Sequence, residues 1–346
     1  MAGKFVDSSL IGCLTGLLRL ALGLSEDSRT VPHIGDKEWT ALLELARRQT
    51  VGGLLESAIR KLPESRMPDQ SVLVNVMMEA ERTARRSSAV EKAARSLLEQ
   101  AEAQGLHPVL MKGPAVARYY PHPELRTSGD IDLYIPETQL QGLLDFLQRK
   151  GGVVEKTPDG SHFVKGAVDI DIHTAYFDLH YPPASLPEPG SPEAELLMLS
   201  SHILKHAMGP GVGLRQLCDM AMAIRALEGR YNAEALTDYF RKTGTLHWNQ
   251  VLDAFLQRHF RLQWGLFHKP FSKTVYRDAR YLEKIVFSGG NFGHFQEGRS
   301  KALEAPALIR KADTAFRFLQ RLPFSVRCAS REYGRYLRSL VSGNMG

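Results

Sequence analysis

Apolar residues first recur at three- and four-residue spacing, in Trp39, Leu42, Leu43, Leu45 and Ala46 and then in Leu54, Leu55 and Ile59, which predicts helices. A long charged helix is expected from about Asp69 to Gln104, because no Gly or Pro interrupts it and Gly105 suits the position past its end. Leu10 to Leu24, broken by Gly12, Thr15, Gly16, Arg19 and Gly23, reads as an amphipathic helix. After residue 105 the period shortens. His107 to Met111 and Asp130 to Ile135 read as strands, the second closed by Pro136. Gln139 to Lys150 reads as a helix ended by Gly151 and Gly152. Val153 to Thr157, His162 to Lys165 and Ala167 to His173 then read as strands, joined by turns at Pro158-Asp159-Gly160 and at Gly166. A connector with five prolines, Tyr181 to Pro192, returns the chain to a mainly helical pattern. Ser288 to Gly293 is too glycine-rich for a helix and predicts a loop.

These patterns divide the chain into a helical region 1–105, a compact mixed unit 106–180 and a helical region 181–346. The expected fold class is α+β: a small mixed β-sheet core flanked by helical regions.

The chemistry concentrates in the mixed unit. On a strand, residues two apart share a face, so Asp130 and Asp132 present two carboxylates side by side while Ile131, Leu133 and Ile135 point into a core. Asp169, Asp171 and His173 share a face of the Val168 to His173 segment in the same way. If the two strands are neighbours, Asp171 joins the pair. Clustered carboxylates repel unless a cation lies among them, and hard divalent ions take such oxygen ligands. By the same repulsion, removing either Asp130 or Asp132 is expected to leave a metal-free fold intact or slightly steadier.

Composition sets the limits. The 346 residues are 43% apolar and 24% charged, enough for one large domain or several smaller units. No apolar run approaches the roughly 18 to 20 residues of a membrane span, and the start lacks the basic region and cleavage site of a signal peptide. Cys13, Cys218 and Cys328 form no CxxC pair and sit among apolar neighbours, which predicts buried thiols in a cytoplasmic protein. A net charge of +6 favours anionic partners. The densest basic stretch, Arg310 to Arg338, is expected to be a solvated helix face, with an anion-binding or docking face as the alternative.

Lys112-Gly113, Tyr120-Pro121, Arg126, Asp130-Ile131-Asp132 and Val168 to His173, in that order, resemble the uncharacterised nucleotidyltransferase family of the polymerase-β-type superfamily. Val51-Gly52-Gly53-Leu54, the Leu197 to His206 segment, Leu214-Arg215 to Asp219 and the glycine loop at 289–293 are similar to other parts of that family. The resemblance implies that Asp130, Asp132 and Asp171 are metal ligands and catalytic, with Mg2+ or Mn2+ as the ion and a nucleoside triphosphate, ATP among them, as donor. It implies that Lys112, Gly113, Arg126 and His173 meet the nucleotide. Lys112-Gly113 stands where the superfamily usually has Gly-Ser, which leaves a catalytically silent nucleotide-binding or regulatory module as an alternative. A transferase using a sugar-nucleotide or phosphoryl donor is another.

The implied acceptor is a hydroxyl on a small molecule, a sugar phosphate or a peptide; nucleic acid is possible but less favoured. Several residues keep two readings. Arg126 either contacts phosphates or pairs with an acid, and His173 is a core or site-supporting histidine rather than a metal ligand. His202 and His206 share a helix face but lack the Glu of a His-Glu-x-x-His zinc motif, so they are expected to line the cleft or pack. Arg215 and Asp219, four apart, predict a local ion pair, with a structural or nucleotide-contacting role for Asp219 as the alternative.

Overall fold

The computed structural model describes residues 7–157, 160–165, 168–179, 182–209, 211–290 and 321–331. Four helices lead: α1 (Ser8–Ala21), α2 (Asp36–Arg48), α3 (Leu55–Ile59) and α4 (Gln70–Glu102). Asp69 caps α4 by accepting the Val72 amide at 2.8 Å, and Gly105 follows it at φ +73°, the left-handed conformation that favours glycine. The helix expected between Leu10 and Leu24 is α1, and it is buried along most of its length. Cys13 to Ala21 are all buried, Arg19 included, whose guanidinium donates to the carbonyls of His259 (3.0 Å) and Thr30 (3.3 Å). Those two acceptors let a charged side chain sit inside the core.

The sheet follows: β1 (Val109–Leu110), α5 (Pro114–Ala117), β2 (Ile131–Tyr134), α6 (Glu137–Arg149), β3 (Val153–Thr157), β4 (Gly160–Lys165) and β5 (Val168–His173). Strand order is β1-β2-β5-β4-β3, with β2 and β5 parallel and the other pairs antiparallel. A parallel neighbour needs a crossover, and α6 with the β3–β4 hairpin supplies it. Ile131, Leu133, Ile135, Ile170 and Ile172 cover one face of the sheet and pack against Leu143, Leu144 and Leu147 of α6 and Val90, Ala94 and Leu97 of α4. The opposite face keeps the polar residues.

After the proline-rich connector come α7 (Pro192–Met208), α8 (Leu214–Leu227), α9 (Ala233–Lys242), α10 (Leu246–Phe260), α11 (Lys273–Gly289) and α12 (Leu322–Cys328). These share a single apolar cluster with α1, α2, α3 and the first half of α4. The mixed helix-and-strand architecture, with helices before and after a sheet, is the expected α+β class. The expected loop at Ser288 begins late: α11 continues to Gly289 and ends at Gly290 (φ +62°). Burial of Ile285, Val286 and Phe287 outweighs the roughly 1 kcal/mol helix penalty of a glycine. Asn291 to Gly293 lie outside the described residues.

Of the basic stretch, Arg310, Lys311, Arg317, Arg335 and Arg338 also lie outside the described residues. Of the three described members, Arg321 is buried, Arg327 is half-buried and Arg331 is exposed. Arg321 donates to the carbonyls of Ala207 and Gly209, and Arg327 holds Asp278.

A glycine contact ties the leading helices to the segment before the site. In the 3₁₀ turn Gly52–Leu54, a Cβ on Gly53 would lie 2.8 Å from the Leu125 carbonyl oxygen and 2.8 Å from Thr83 Cγ2. A Cβ on Gly52 would meet only the flexible Glu79 side chain, at 3.1 Å. Gly53→Ala should therefore destabilise by about 1–3 kcal/mol, read as a lower denaturation midpoint, while Gly52→Ala stays within about 0.5 kcal/mol of the parent.

Candidate active site

The polar face of the sheet is set by strand register. On the parallel pair, Asp132 lies opposite Asp171 and Tyr134 opposite His173; on the antiparallel pair, His162 lies opposite Asp171. Asp130 immediately precedes β2 and is exposed, while Asp132 is buried at 7% exposure. Lys112 reaches this face from the turn after β1. Its Nζ lies 2.8 Å from Asp132 Oδ1, and His173 Nε2 lies 3.0 Å from the same oxygen. His162 Nδ1 sits 2.7 Å from Asp171 Oδ1. Gly113 has φ +58°, and a Cβ there would sit 3.4 Å from the Asp130 carbonyl, so glycine suits both the turn and the close approach.

The two neighbouring aspartates differ in charge environment. Protein crowded around the Asp130 carboxyl raises its pKa, even though solvent reaches it, and Asp132 and Asp171 add to the rise; Arg215 opposes it. Burial also pushes Asp132 up, but the Lys112 charge and the His173 hydrogen bond outweigh that and hold it well below the usual carboxylate range. Burial lowers the Lys112 ammonium, yet Asp132 and Asp178 leave it above its ordinary value. The hydrogen bond to Asp171 raises His162.

Behind Lys112 stands a group that no sequence motif marked. Asp178, on the stretch after β5, binds His202 Nδ1 (2.8 Å) and Lys205 Nζ (3.2 Å) of α7. The Nε2 atoms of His202 and His206 are 3.1 Å apart, so one of the two carries the shared proton. Burial, then the Lys112 charge, lowers His202; burial, then His202, holds His206 well below its ordinary value. Burial would raise Asp178, but its bond to His202 and the cations around it hold it well below the carboxylate range. The neutral reading therefore has His202 Nδ1–H donating to an ionised Asp178 and His206 Nε2–H donating to His202. The i,i+4 spacing of the histidines was legible; their acidic partner was not, because it lies 24 residues earlier in an irregular segment.

Arg126 does not lie open to a ligand. It is 5% exposed, its Nε and Nη2 donate to Asp219 Oδ1 (3.0 Å) and Oδ2 (2.6 Å), and Nη1 donates to the Thr127 carbonyl and Ser128 Oγ. Of its two sequence readings, the acidic partner is the one the structure contains. Tyr120 donates to Asp219 Oδ1 at 2.7 Å. The Arg215–Asp219 pair expected along α8 is absent among the described ion pairs, because Arg126 and Tyr120 already engage both Asp219 oxygens. Arg215 donates instead to the Thr127 carbonyl at 3.2 Å.

A separate group, His247, Asp278 and Cys328, brings potential metal-ligating atoms within 4.8 Å of one another. It is built from α10, α11 and α12, away from the sheet in sequence. Asp278 there accepts Arg327 at 2.7 and 2.5 Å and pairs with His247 at 2.9 Å, so its charge is already compensated, while burial raises the Cys328 thiol. That donor set does not fit a resident cation without displacing an arginine.

The mixed sheet sets Asp132 against Asp171 on a parallel strand pair, with Asp130 two residues before Asp132 and helices packed on the other face. Residues 35–190 match the model of the family described as "Uncharacterised nucleotidyltransferase". The match supports a general role in nucleotidyl transfer and contains the whole sheet. The similar segments read in α7, in α8 and at 289–293 lie beyond it. No curated protein and no solved structure matches the chain. Among the described residues, no helix is long and apolar enough to cross a membrane.

The unequal charge environments set the two aspartates of the pair apart. Asp130, whose pKa is raised, weakens the metal-free fold at neutral pH; this burden disappears as pH falls through its folded value towards the ordinary 3.9 or so. Asp132, whose pKa is depressed, stabilises the fold above about 3.9, and that contribution is lost as pH falls further. In chelator at pH 7, Asp130→Asn should melt above the parent. Asp132→Asn should be destabilised by roughly 3 kcal/mol or more, because it leaves the Lys112 ammonium buried without its partner. Equal melting temperatures for the two variants would contradict the assignment.

Proposed function

We propose that the chain is a metal-dependent nucleotidyltransferase that moves a nucleotidyl group from a nucleoside triphosphate to a hydroxyl acceptor and releases pyrophosphate. The observation that carries this reading is the parallel β2–β5 register, which sets Asp132 against Asp171 with Asp130 two residues before Asp132. Asp130, Asp132 and Asp171 are the proposed metal ligands and catalytic carboxylates. An all-oxygen donor set suits Mg2+ or Mn2+. The raised pKa of Asp130 comes first from desolvation and then from the charges of Asp132 and Asp171, and a divalent cation would offset both.

Such an ion lowers the pKa of an acceptor hydroxyl and offsets charge on the leaving phosphates. The chain's own residues do the positioning. Carboxylates fixed on paired strands need little reorganisation as the reaction proceeds. His173 holds one Asp132 oxygen in place, and Gly113 leaves room for a close backbone approach. Lys112 supplies a point charge for a phosphate oxygen. In the transfer, the acceptor oxygen bonds to the α-phosphorus as the bond from that phosphorus to the bridging oxygen breaks. The hydroxyl proton passes to solvent water, and the electron pair leaves with pyrophosphate.

We assign catalysis to residues 106–180, flanked in sequence by the helical regions 1–105 and 181–346. A small molecule, sugar phosphate or peptide is the favoured acceptor. The three buried free cysteines fit a reducing cytoplasm.

One observation favours a second reading. With Lys112 and His173 both on Asp132 Oδ1, this carboxylate already has positive charge beside it, as suits a nucleotide-binding module without turnover. The decisive measurement is pyrophosphate release from each nucleoside triphosphate with magnesium or manganese, over pools of hydroxyl acceptors. Transfer is expected, with Asp130→Asn and Asp132→Asn reducing it by at least about a hundredfold. Metal-dependent nucleotide binding without pyrophosphate release would favour the silent module, and a product carrying a sugar or a single phosphoryl group would move the donor class.

A further inference from the structure

We propose that Arg215, with Arg86, forms a clamp for a phosphate chain beside the aspartate cluster. This deepens the nucleotidyl-transfer reading and rests on it only for naming the chain as the triphosphate of a nucleotide.

Among the described residues, Arg215 is a cation without an ion-pair partner. Arg215 stands in the first turn of α8. The carboxylate one turn further on, Asp219, belongs to Arg126, and among the described residues no acid lies within ion-pair distance of Arg215. Its one hydrogen bond goes to the Thr127 carbonyl at 3.2 Å, and its Nε is buried with no acceptor. A guanidinium has five donors, so most of this one is unengaged. Burial and the neighbouring Arg126 lower its pKa, against the more distant charges of Asp219 and then Asp130. Unneutralised positive charge is costly to keep inside a protein unless it serves an anion.

Arg86 repeats the arrangement from α4. It is exposed, has no carboxylate partner among the described residues, and donates to the Gly129 carbonyl at 3.3 Å. Thr127 and Gly129 flank Ser128, so two arginines from separate helices converge on the stretch that delivers Asp130. Forked donors on this spacing suit the oxygens of successive phosphoryl groups, which a planar guanidinium binds in pairs. Arg126 is thus the structural arginine, and Arg215 is the one left for a ligand.

The test uses the full chain, titrated calorimetrically with inorganic tripolyphosphate, once in chelator and once with magnesium. Arg215→Met should weaken binding about ten- to a hundredfold in both conditions, the loss expected for charge-assisted hydrogen bonds. Arg215→Lys, which keeps the charge without the fork, should fall between, and Arg86→Gln should also weaken binding. Without ligand, Arg215→Met should melt no lower than the parent, because it removes a buried charge that has no partner; a purely structural arginine would behave oppositely. Unchanged tripolyphosphate affinity in Arg215→Lys and Arg86→Gln would overturn the clamp even if Arg215→Met failed to fold. The two readings fail separately. A parent that releases no pyrophosphate from any nucleotide, yet loses tripolyphosphate when Arg215 is changed, keeps the clamp and loses the transferase. Pyrophosphate release by a parent whose Arg215 variants bind tripolyphosphate normally does the reverse.

Discussion

The buried ion pair between Arg126 and Asp219 is the constraint on which the site depends. Both groups are about 5% exposed, and removing either would leave a charge stranded in the interior, typically a loss of about 3–5 kcal/mol. The pair joins two parts of the chain 93 residues apart: the turn that precedes β2, and α8 in the carboxy-terminal helical region. From it the local order spreads. Ser87 on α4 donates to the Arg126 carbonyl at 2.7 Å and accepts the Ser128 amide at 3.3 Å, so the backbone leading to Asp130 is gripped from a third side. By occupying Asp219, Arg126 also decides that Arg215 has no acid of its own.

Around that anchor the cluster divides its charge unevenly. Asp132 is compensated from within the protein, by Lys112 and His173, whereas Asp130 faces solvent with little more than the field of Arg215 to offset its neighbours. Two carboxylates that look equivalent in an Asp-x-Asp motif thus carry different burdens. One belongs to the integrity of the sheet, and the other holds strain that a bound cation would relieve.

The local features were legible along the chain. Strict alternation marked the face of Asp130 and Asp132 and that of Asp171 and His173, Asp69 and Gly105 bracketed α4, and β3, β4 and β5 fall in the segments read as strands, while residues 158–159 and 166–167, where turns were expected, lie outside the described residues. What sequence spacing could not supply was partner choice between distant segments. The match of Asp132 with Asp171 depends on a crossover that skips the β3–β4 hairpin. Arg126 takes Asp219 although Arg215 is the nearer candidate along the helix, because tertiary packing brings Arg126 to it fully desolvated. Asp178 gave no signal, since its meaning arises only when α7 lays two histidines and a lysine beside it. Likewise α1 looked amphipathic from its interruptions, but the interior accommodates its arginine through two backbone carbonyls.

The helix α4 belongs to both apolar clusters. Val72, Val76 and Ala80 pack with the leading and trailing helices, whereas Val90, Ala94, Leu97 and Ala101 pack under the sheet. Its 33 residues span about 50 Å as one rod. The two bodies are therefore riveted to opposite halves of a single stiff beam, and a relative rotation between them must appear as bending or twisting of that beam. Thr83 and Ser87 sit at its midpoint, touching Gly53 on one side and the backbone of Arg126 on the other. Flexure of the beam would thus bear on the turn that carries Asp130, through the Ser87 hydrogen bond to Arg126.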